Sequence, residues 1–91
     1  MEFHFLIDRD TERPHVENHH IETWEAIDVL KKPDFDYNGR ESTRIAIDQT
    51  RNGRYLRMIY RRIEKEDARF IITAYDLPPK ARAALRRRKR K

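Results

Sequence analysis

The chain lacks cysteine entirely, which excludes a disulfide framework and a cysteine-ligated zinc site. It also lacks any apolar run near the roughly 20 residues that a membrane-spanning helix requires. The apolar run at residues 3–7 is too short for a signal peptide. Hydrophobic residues make up only 37% of the chain and charged residues 41%, which is close to the polar limit for folding. We therefore expect one small cytoplasmic domain with a thin core and no membrane association.

Basic side chains are concentrated at the C-terminus. Residues 80–91 hold eight Lys or Arg and no acidic residue, whereas residues 1–79 hold sixteen Asp or Glu against thirteen Lys or Arg. We divide the chain into a single domain at residues 1–85 and a basic tail at residues 86–91. So dense a run of cations favours contacts with the phosphates of a nucleic acid. An acidic protein partner, or a tail that serves solubility only, is the alternative.

The pattern of apolar residues predicts two helices. The first is expected over residues 22–32, because apolar residues recur there at helical spacing, and Pro33 stops it. The residues of this apolar stripe are Ile21, Trp24, Ile27 and Leu30. The second helix is expected to open at Pro78-Pro79, since proline is tolerated in a first turn.

Alternating segments predict a small antiparallel sheet. Three strands are expected, at residues 44–50, 55–63 and 69–75. Asn52-Gly53 is a strong hairpin signal between the first two, because both residues tolerate positive φ. A short strand is also expected at residues 3–8, whereas residues 34–43 are interpreted as a polar loop. The predicted fold class is α+β, a three- to four-stranded antiparallel meander packed by two helices.

Strand side chains alternate between the two faces of a sheet, so the pattern also predicts what each face carries. The face under the Trp24 helix is expected to hold the core. The residues assigned to it are Leu56, Met58 and Tyr60, with Ile45, Ile47, Phe70 and Ile72 beside them. The opposite face is expected to carry Arg44, Tyr55, Arg57 and Arg61.

A set of short motifs runs along most of the chain, from about residue 3 to residue 86. They are Asp8, eleven positions before His19, then Asn18-His19-His20-Ile21 before a helix, then Ile45-Ala46-Ile47, Gly53-Arg54-Tyr55-Leu56 and Ile71-Ile72-Thr73-Ala74. In this order they resemble the BrnT-type toxins. Those proteins have an aspartate in an opening Trp-Asp-x-x-Lys motif, a Lys-His-Gly-Val segment with a helix after it, and three strands with a Gly-Arg hairpin.

The resemblance implies a RelE-like fold, metal-independent ribonuclease activity and neutralisation by a cognate antitoxin. The chain departs from the family's pattern at five positions. The family's two lysines fall on Thr11 and Asn18, its asparagine on His15, its glycine on His20, and the arginine that ends its third strand on Tyr75. A non-catalytic nucleic-acid-binding module on the same scaffold, or a protein-interaction domain, is therefore the alternative.

Cleaving RNA without metal requires a base for the 2′-hydroxyl, cations on the phosphate and an acid for the leaving oxygen. Arg57 and Arg61 are predicted to hold the scissile phosphate, because they share a strand face and a planar guanidinium matches phosphate geometry. Tyr55 on the same strand face, or Tyr75 at the end of the neighbouring strand, is predicted to stack on a base. His19 is predicted to transfer a proton, since it falls on the family's histidine and an imidazole titrates near neutrality.

Further residues are predicted to bind nucleic acid. They are Arg44, Arg54, Tyr55, Arg82, Arg86, Arg87, Arg88, Lys89 and Arg90. For the strand residues among them, the alternative is a solvated sheet face whose arginines pair with nearby acidic residues. No metal or other cofactor is expected, because His15 and His19 have no evident third ligand. The expected partners are RNA and a cognate antitoxin.

Overall fold

Five strands form one open sheet in the computed structural model, which describes residues 1–89. They are β1 (Glu2–Phe5), β2 (Phe35–Asn38), β3 (Arg44–Gln49), β4 (Tyr55–Ile63) and β5 (Ala68–Asp76). Their order across the sheet is β1-β5-β4-β3-β2. The strands from β2 to β5 pair antiparallel, whereas β1 pairs parallel with β5.

Two α-helices accompany the sheet, α1 (Thr23–Lys31) and α2 (Pro79–Lys89). Short 3₁₀ helices lie at His15–His19 and Glu64–Glu66. The α+β class and the two helices are therefore confirmed, and α2 contains residues 86–89 of the predicted tail. Within the described residues, neither helix is long and apolar enough to cross a lipid bilayer.

The prediction of a three- to four-stranded antiparallel sheet is wrong in two respects. The observed sheet has five strands, and it is mixed because β1 is parallel to β5. The segment assigned to a polar loop contains β2, which adds an antiparallel edge strand beside β3. The N-terminal strand is shorter than expected and runs parallel to β5, because the 3₁₀ helix and α1 carry the chain across the sheet between β1 and β2.

The predicted hairpin at Asn52-Gly53 is confirmed. Thr50 N–H donates to Arg54 O at 2.7 Å and Gly53 N–H donates to Thr50 O at 2.9 Å, which closes the turn between β3 and β4. Gly53 has a φ of 90°, a backbone conformation that residues with a Cβ rarely adopt. The turn could be predicted from the sequence because its conformation depends only on the residues within it.

The helix α1 begins after Glu22, which is its N-cap residue. The Glu25 carboxylate accepts a hydrogen bond from Glu22 N–H at 3.0 Å, which satisfies a backbone donor at the helix start. Ala26, Val29 and Leu30 are buried against the sheet. Trp24 is only half-buried, and the Arg51 guanidinium lies 4.8 Å from its ring centroid. Of the predicted apolar stripe, Ile21 and Leu30 are buried, whereas Trp24 and Ile27 are only partly buried.

The face of the sheet under α1, here called the core face, carries the buried side chains of Ala46, Leu56, Met58, Tyr60 and Ile71. The burial of Leu56, Met58 and Tyr60 is as predicted.

Ile45, Ile47 and Phe70 lie on the opposite face, here called the outer face. The register pairs Ile45 with Ile59 and Ile47 with Arg57, and directly paired residues share a face. Their assignment to the core face was therefore wrong. On β5 the pairing shifts between Ile59 and Tyr60, so that Phe70 pairs with Arg61 on the outer face.

Candidate nucleic-acid interface

A cleft of about 600 Å³ lies between α2 and the outer face. One row of the register runs across four strands there, from Phe35 through Ile47 and Arg57 to Tyr75. Leu85 is buried, and it lines the cleft on the helix side with Ala81 and Ala84. The weak apolar side of α2 therefore packs on the outer face without filling the space beneath it.

Two guanidinium groups line this cleft, those of Arg57 and Arg88. Arg57 Nη2 donates to Tyr37 Oη at 3.3 Å, while Arg57 Nε is shielded from solvent and has no hydrogen-bond acceptor. The Arg88 guanidinium lies 6.0 Å from the centroid of the Phe35 ring. Between residues 1 and 89, neither arginine pairs with a carboxylate, so the cleft has a positive and incompletely satisfied wall.

The rest of α2 is basic and exposed. Its exposed cations are Lys80, Arg86, Arg87 and Arg88. Arg82 is half-buried and its Nε has no acceptor. Lys89 ends the helix, and the predicted contact Arg90 lies outside the described residues. No acidic residue occurs in this helix, so its exposed arginines have no carboxylate partner on the helix itself.

Four of the predicted strand residues share the outer face. Arg57 pairs directly with Tyr75 across β4 and β5. Tyr55 and Arg61 stand two residues before and four residues after Arg57 on the same strand, which places all three on one face. The structure thus brings Arg57 and Tyr75 together. Their roles in binding or catalysis remain predictions.

Arg44 was assigned to the wrong face. The register pairs it with Tyr60, on the core side of the sheet. There its Nε donates to Asp36 Oδ1 at 2.8 Å and its Nη1 donates to Asn38 Oδ1 at 2.6 Å. Tyr60 Oη donates to Asp36 Oδ2 at 2.5 Å, so the Asp36 carboxylate accepts hydrogen bonds from both Arg44 and Tyr60. Arg44 is a structural partner of β2 and cannot join Arg57 in one phosphate site.

The Asp36 network makes a pH-dependent contribution to stability. Burial raises the pKa of Asp36, but the hydrogen bonds from Tyr60 and Arg44 outweigh it and hold the pKa below its ordinary value of 3.8. A carboxyl whose pKa is lower in the folded state stabilises it fully above the unfolded value, and loses this effect as the pH falls through the folded value.

We therefore expect Asp36→Asn to flatten the acid limb of the stability curve below about pH 4. Urea unfolding of both proteins at neutral pH and at several acid pH values measures this. Asp10→Asn, which removes an exposed carboxylate, is the control. An acid limb equally steep in Asp36→Asn and in the unaltered chain would contradict the expectation.

Arg54 is fully engaged within the fold. It donates to both oxygens of Asp76 at 2.7 and 2.9 Å, to Glu25 Oε1 at 3.1 Å and to His20 O at 2.7 Å. The hydrogen bond from Arg54 holds the pKa of Asp76 below its ordinary value. Its predicted contact with nucleic acid would therefore compete with four internal bonds. Asp76 therefore anchors Arg54 at the end of β5.

His19 is separated from the predicted arginines. It ends the 3₁₀ helix His15–His19, whose Val16 belongs to the core on the α1 side of the sheet. Arg57, Arg61 and Tyr75 lie on the outer face. The four residues predicted to form one catalytic site therefore do not all meet, because the sheet stands between them.

His19 instead lies beside a second histidine held by an aspartate. His15 Nδ1 is 3.0 Å from Asp8 Oδ1, and Asn18 Nδ2 donates to the other oxygen of Asp8. The rings of His15 and His19 are 5.6 Å apart at their centroids, in an edge arrangement. The hydrogen bond from His15 holds the pKa of Asp8 below its ordinary value. An ionised Asp8 keeps the hydrogen of a neutral His15 on Nδ1 and leaves Nε2 as its basic nitrogen.

The charged residues in the segment around this cluster are mostly acidic. Residues 8–22 hold five Asp or Glu and two Arg. Over residues 1–89, no group of three or more His, Asp or Glu side chains is arranged to hold a metal ion. The cluster can therefore offer proton transfer, whereas the outer face and α2 offer the cations.

Sequence reasoning missed Phe35 and Tyr37, which line the cleft from β2. Their signal was present as two aromatic residues separated by one polar residue, a spacing typical of a strand. It also missed the pairing of Asp8 with His15. That contact depends on a chain reversal in which His15 N–H donates to Leu6 O at 2.8 Å.

No family model, curated protein or solved structure matches this chain.

Proposed function

We propose that this protein binds single-stranded RNA along α2 and the adjoining part of the outer face. The observation that carries the proposal is the group of exposed cations on α2 beside a cleft with two guanidinium groups that no described carboxylate neutralises. Residues 1–79 have a net negative charge, so an anionic polymer is repelled from most of the surface and drawn to this side.

A single strand is favoured over a duplex because aromatic residues accompany the cations. Phe35 and Tyr37 line the cleft, and Tyr75 pairs with Arg57 on the same face. Single-stranded nucleic acids are bound by a basic surface that follows the backbone and by aromatic rings on which bases stack. The bases of a duplex are already stacked and would leave these rings unused.

The test is the salt dependence of binding. Replacing Arg86, Arg87 and Arg88 together with glutamine should reduce the slope of log affinity against log salt by about 2, because each phosphate contact on a single strand contributes about 0.7. Fluorescence anisotropy with a labelled single-stranded RNA over a salt series measures the slope.

A matched variant replaces three exposed cations elsewhere, Arg9, Arg40 and Lys65, with glutamine. It removes the same charge and should leave the slope near that of the unaltered chain. An unchanged slope in the α2 variant, or no RNA binding at low salt, would overturn the proposal.

A second candidate is the metal-independent ribonuclease that the resemblance to BrnT-type toxins implies, together with neutralisation by a cognate antitoxin. One observation favours it, the oriented His15 beside His19. Two imidazoles this close can serve one substrate as base and acid, which are two of the three roles that RNA cleavage without metal requires. Its main test is the removal of His15, argued in the Discussion.

A further inference from the structure

We infer that the cleft between α2 and the outer face receives one unstacked base of the bound RNA. This rests on the proposed function, and it adds a base-binding site to a surface that would otherwise read only the phosphate backbone. Three features of the cleft support it: its shape, the charge on its wall and its continuity with the basic helix.

The shape of the cleft suits a flat apolar group. Phe35 and Ile47 form part of the sheet side, and Ala81, Ala84 and Leu85 form part of the helix side. The volume of about 600 Å³ falls within the range of small-molecule sites, roughly 300–1,000 Å³. A base has an apolar π-face that stacks on an aromatic ring, and stacking tolerates every base because each has such a face. Of the two rings that line the cleft, Phe35 and Tyr37, Phe35 is the one beside the Arg88 guanidinium.

The charge on the wall favours an anionic occupant. The carboxylate of Asp36, a further residue at the cleft, is already bound by Tyr60 and Arg44. Arg57 and Arg88 therefore keep their positive charge toward the cleft, and Arg57 has only the 3.3 Å bond to Tyr37 Oη and an Nε without an acceptor. A neutral ligand would leave both cations unpaired, whereas a nucleotide supplies a phosphate next to its base.

The continuity of the cleft with α2 favours RNA over an acidic peptide. Arg88 belongs to the cleft, and Arg86 and Arg87 continue the same helix as exposed cations. An RNA strand can place one base in the cleft and its neighbouring phosphates on these arginines. A peptide with one aromatic and one acidic residue would fill the cleft but leave the rest of the helix unused.

The test compares a single-stranded RNA of about 12 nucleotides with an abasic ribose-phosphate chain of the same length, a length within the usual site sizes. The full chain should bind the RNA about tenfold more tightly than the abasic chain, which is the usual effect of stacking one base. Phe35→Leu keeps an apolar side chain but removes the ring. It should bring this ratio close to one without weakening the binding of the abasic chain.

Further variants separate base binding from backbone binding. Arg87→Gln should lower the affinity for both polymers by the same factor. Arg57→Gln should lower the affinity for the RNA more than the affinity for the abasic chain. Arg40→Gln, an exposed residue between β2 and β3, should leave the ratio unchanged. Circular dichroism of each variant checks the fold, and Arg57→Gln decides the question if Phe35→Leu does not fold.

The outcomes separate the base site from RNA binding as a whole. A ratio near one in the unaltered chain, or a tenfold ratio that survives both Phe35→Leu and Arg57→Gln, overturns the base site and leaves RNA binding standing. Absence of binding to either polymer overturns the proposed function itself. The remaining outcome concerns a labelled peptide of alternating Asp and Phe residues. If the unaltered chain binds this peptide, Arg57→Gln abolishes that binding, and both polymers bind equally, the cleft belongs to a protein partner and the inference is overturned.

Discussion

Replacement of Arg54 by methionine is expected to lower the free energy of unfolding by about 3 kcal/mol, the loss typical of removing one partner from a buried ion pair. The Glu25 side chain is 5% exposed, and it accepts hydrogen bonds from Arg54 and from Glu22 N–H. Methionine covers the apolar contacts of the arginine stem but has no donor. The Glu25 carboxylate would then remain buried at the start of α1 without its cation.

The effect should be specific to this arginine. Arg51 also pairs with an acidic residue of α1, Asp28, but its side chain is 70% exposed. Arg51→Met should therefore cost less than about 1 kcal/mol. In the Arg54→Met background, Glu25→Gln should recover part of the loss, because it removes the buried charge and keeps an acceptor for Glu22 N–H. Urea unfolding of the four proteins measures these differences. Equal losses in Arg54→Met and Arg51→Met would show that Glu25 is not buried as a charge.

Features fixed by neighbouring residues could be predicted from the sequence. The Asn52-Gly53 turn, the strands on either side of it and the helix that stops before Pro33 all depend on local preferences. The edge strand β2 also depends on distant contacts, beyond its local signal of two aromatic residues separated by one polar residue. Its four residues lie between a proline and a glycine, and Asp36 within it is held by Tyr60 on a strand that is two places away in the sheet. A contact 24 residues apart in sequence leaves no local signal.

The assignment of faces failed for a different physical reason. Alternation divides a strand into two sets but does not say which set a helix covers. On β3 the larger Ile45 and Ile47 suggested the core, yet the fully buried residue is Ala46. A small side chain there allows α1 to approach the sheet closely. The two isoleucines lie on the outer face and are only half-buried.

The charge of the candidate site and the shared face of Tyr55, Arg57 and Arg61 could be predicted from the sequence, but the cleft could not. The run of cations on α2 is a property of composition, whereas the cleft arises from the packing of α2 against a strand that was not foreseen. The Asp8–His15 pair likewise depends on the turn at residues 9–14, which the sequence marked only by Pro14. The histidine that the resemblance singled out, His19, turned out to lie beside this pair.

If the chain cleaves RNA, His15→Gln should lower the cleavage rate by about 100- to 10,000-fold, the usual range for losing a positioned general acid or base. Glutamine can still donate to Asp8, so the fold around the 3₁₀ helix should persist. It cannot take up and release a proton near neutral pH. RNA affinity should be unchanged, because the cations proposed to hold RNA lie on α2 and the outer face. Single-turnover cleavage of a labelled RNA, with anisotropy for affinity, separates the two effects.

Two further variants decide whether His15 acts through the geometry seen here. Asp8→Asn keeps the shape of the side chain but removes the carboxylate that fixes the hydrogen on His15 Nδ1, so it should also slow cleavage while leaving affinity unchanged. His4→Gln, which changes an exposed residue of β1, should have no effect on either quantity. A base and an acid acting together should give a bell-shaped pH–rate profile, and His15→Gln should remove one limb of it. Cleavage that survives His15→Gln would exclude the histidine pair, and unaltered protein that binds RNA without cleaving it would leave the binding function alone.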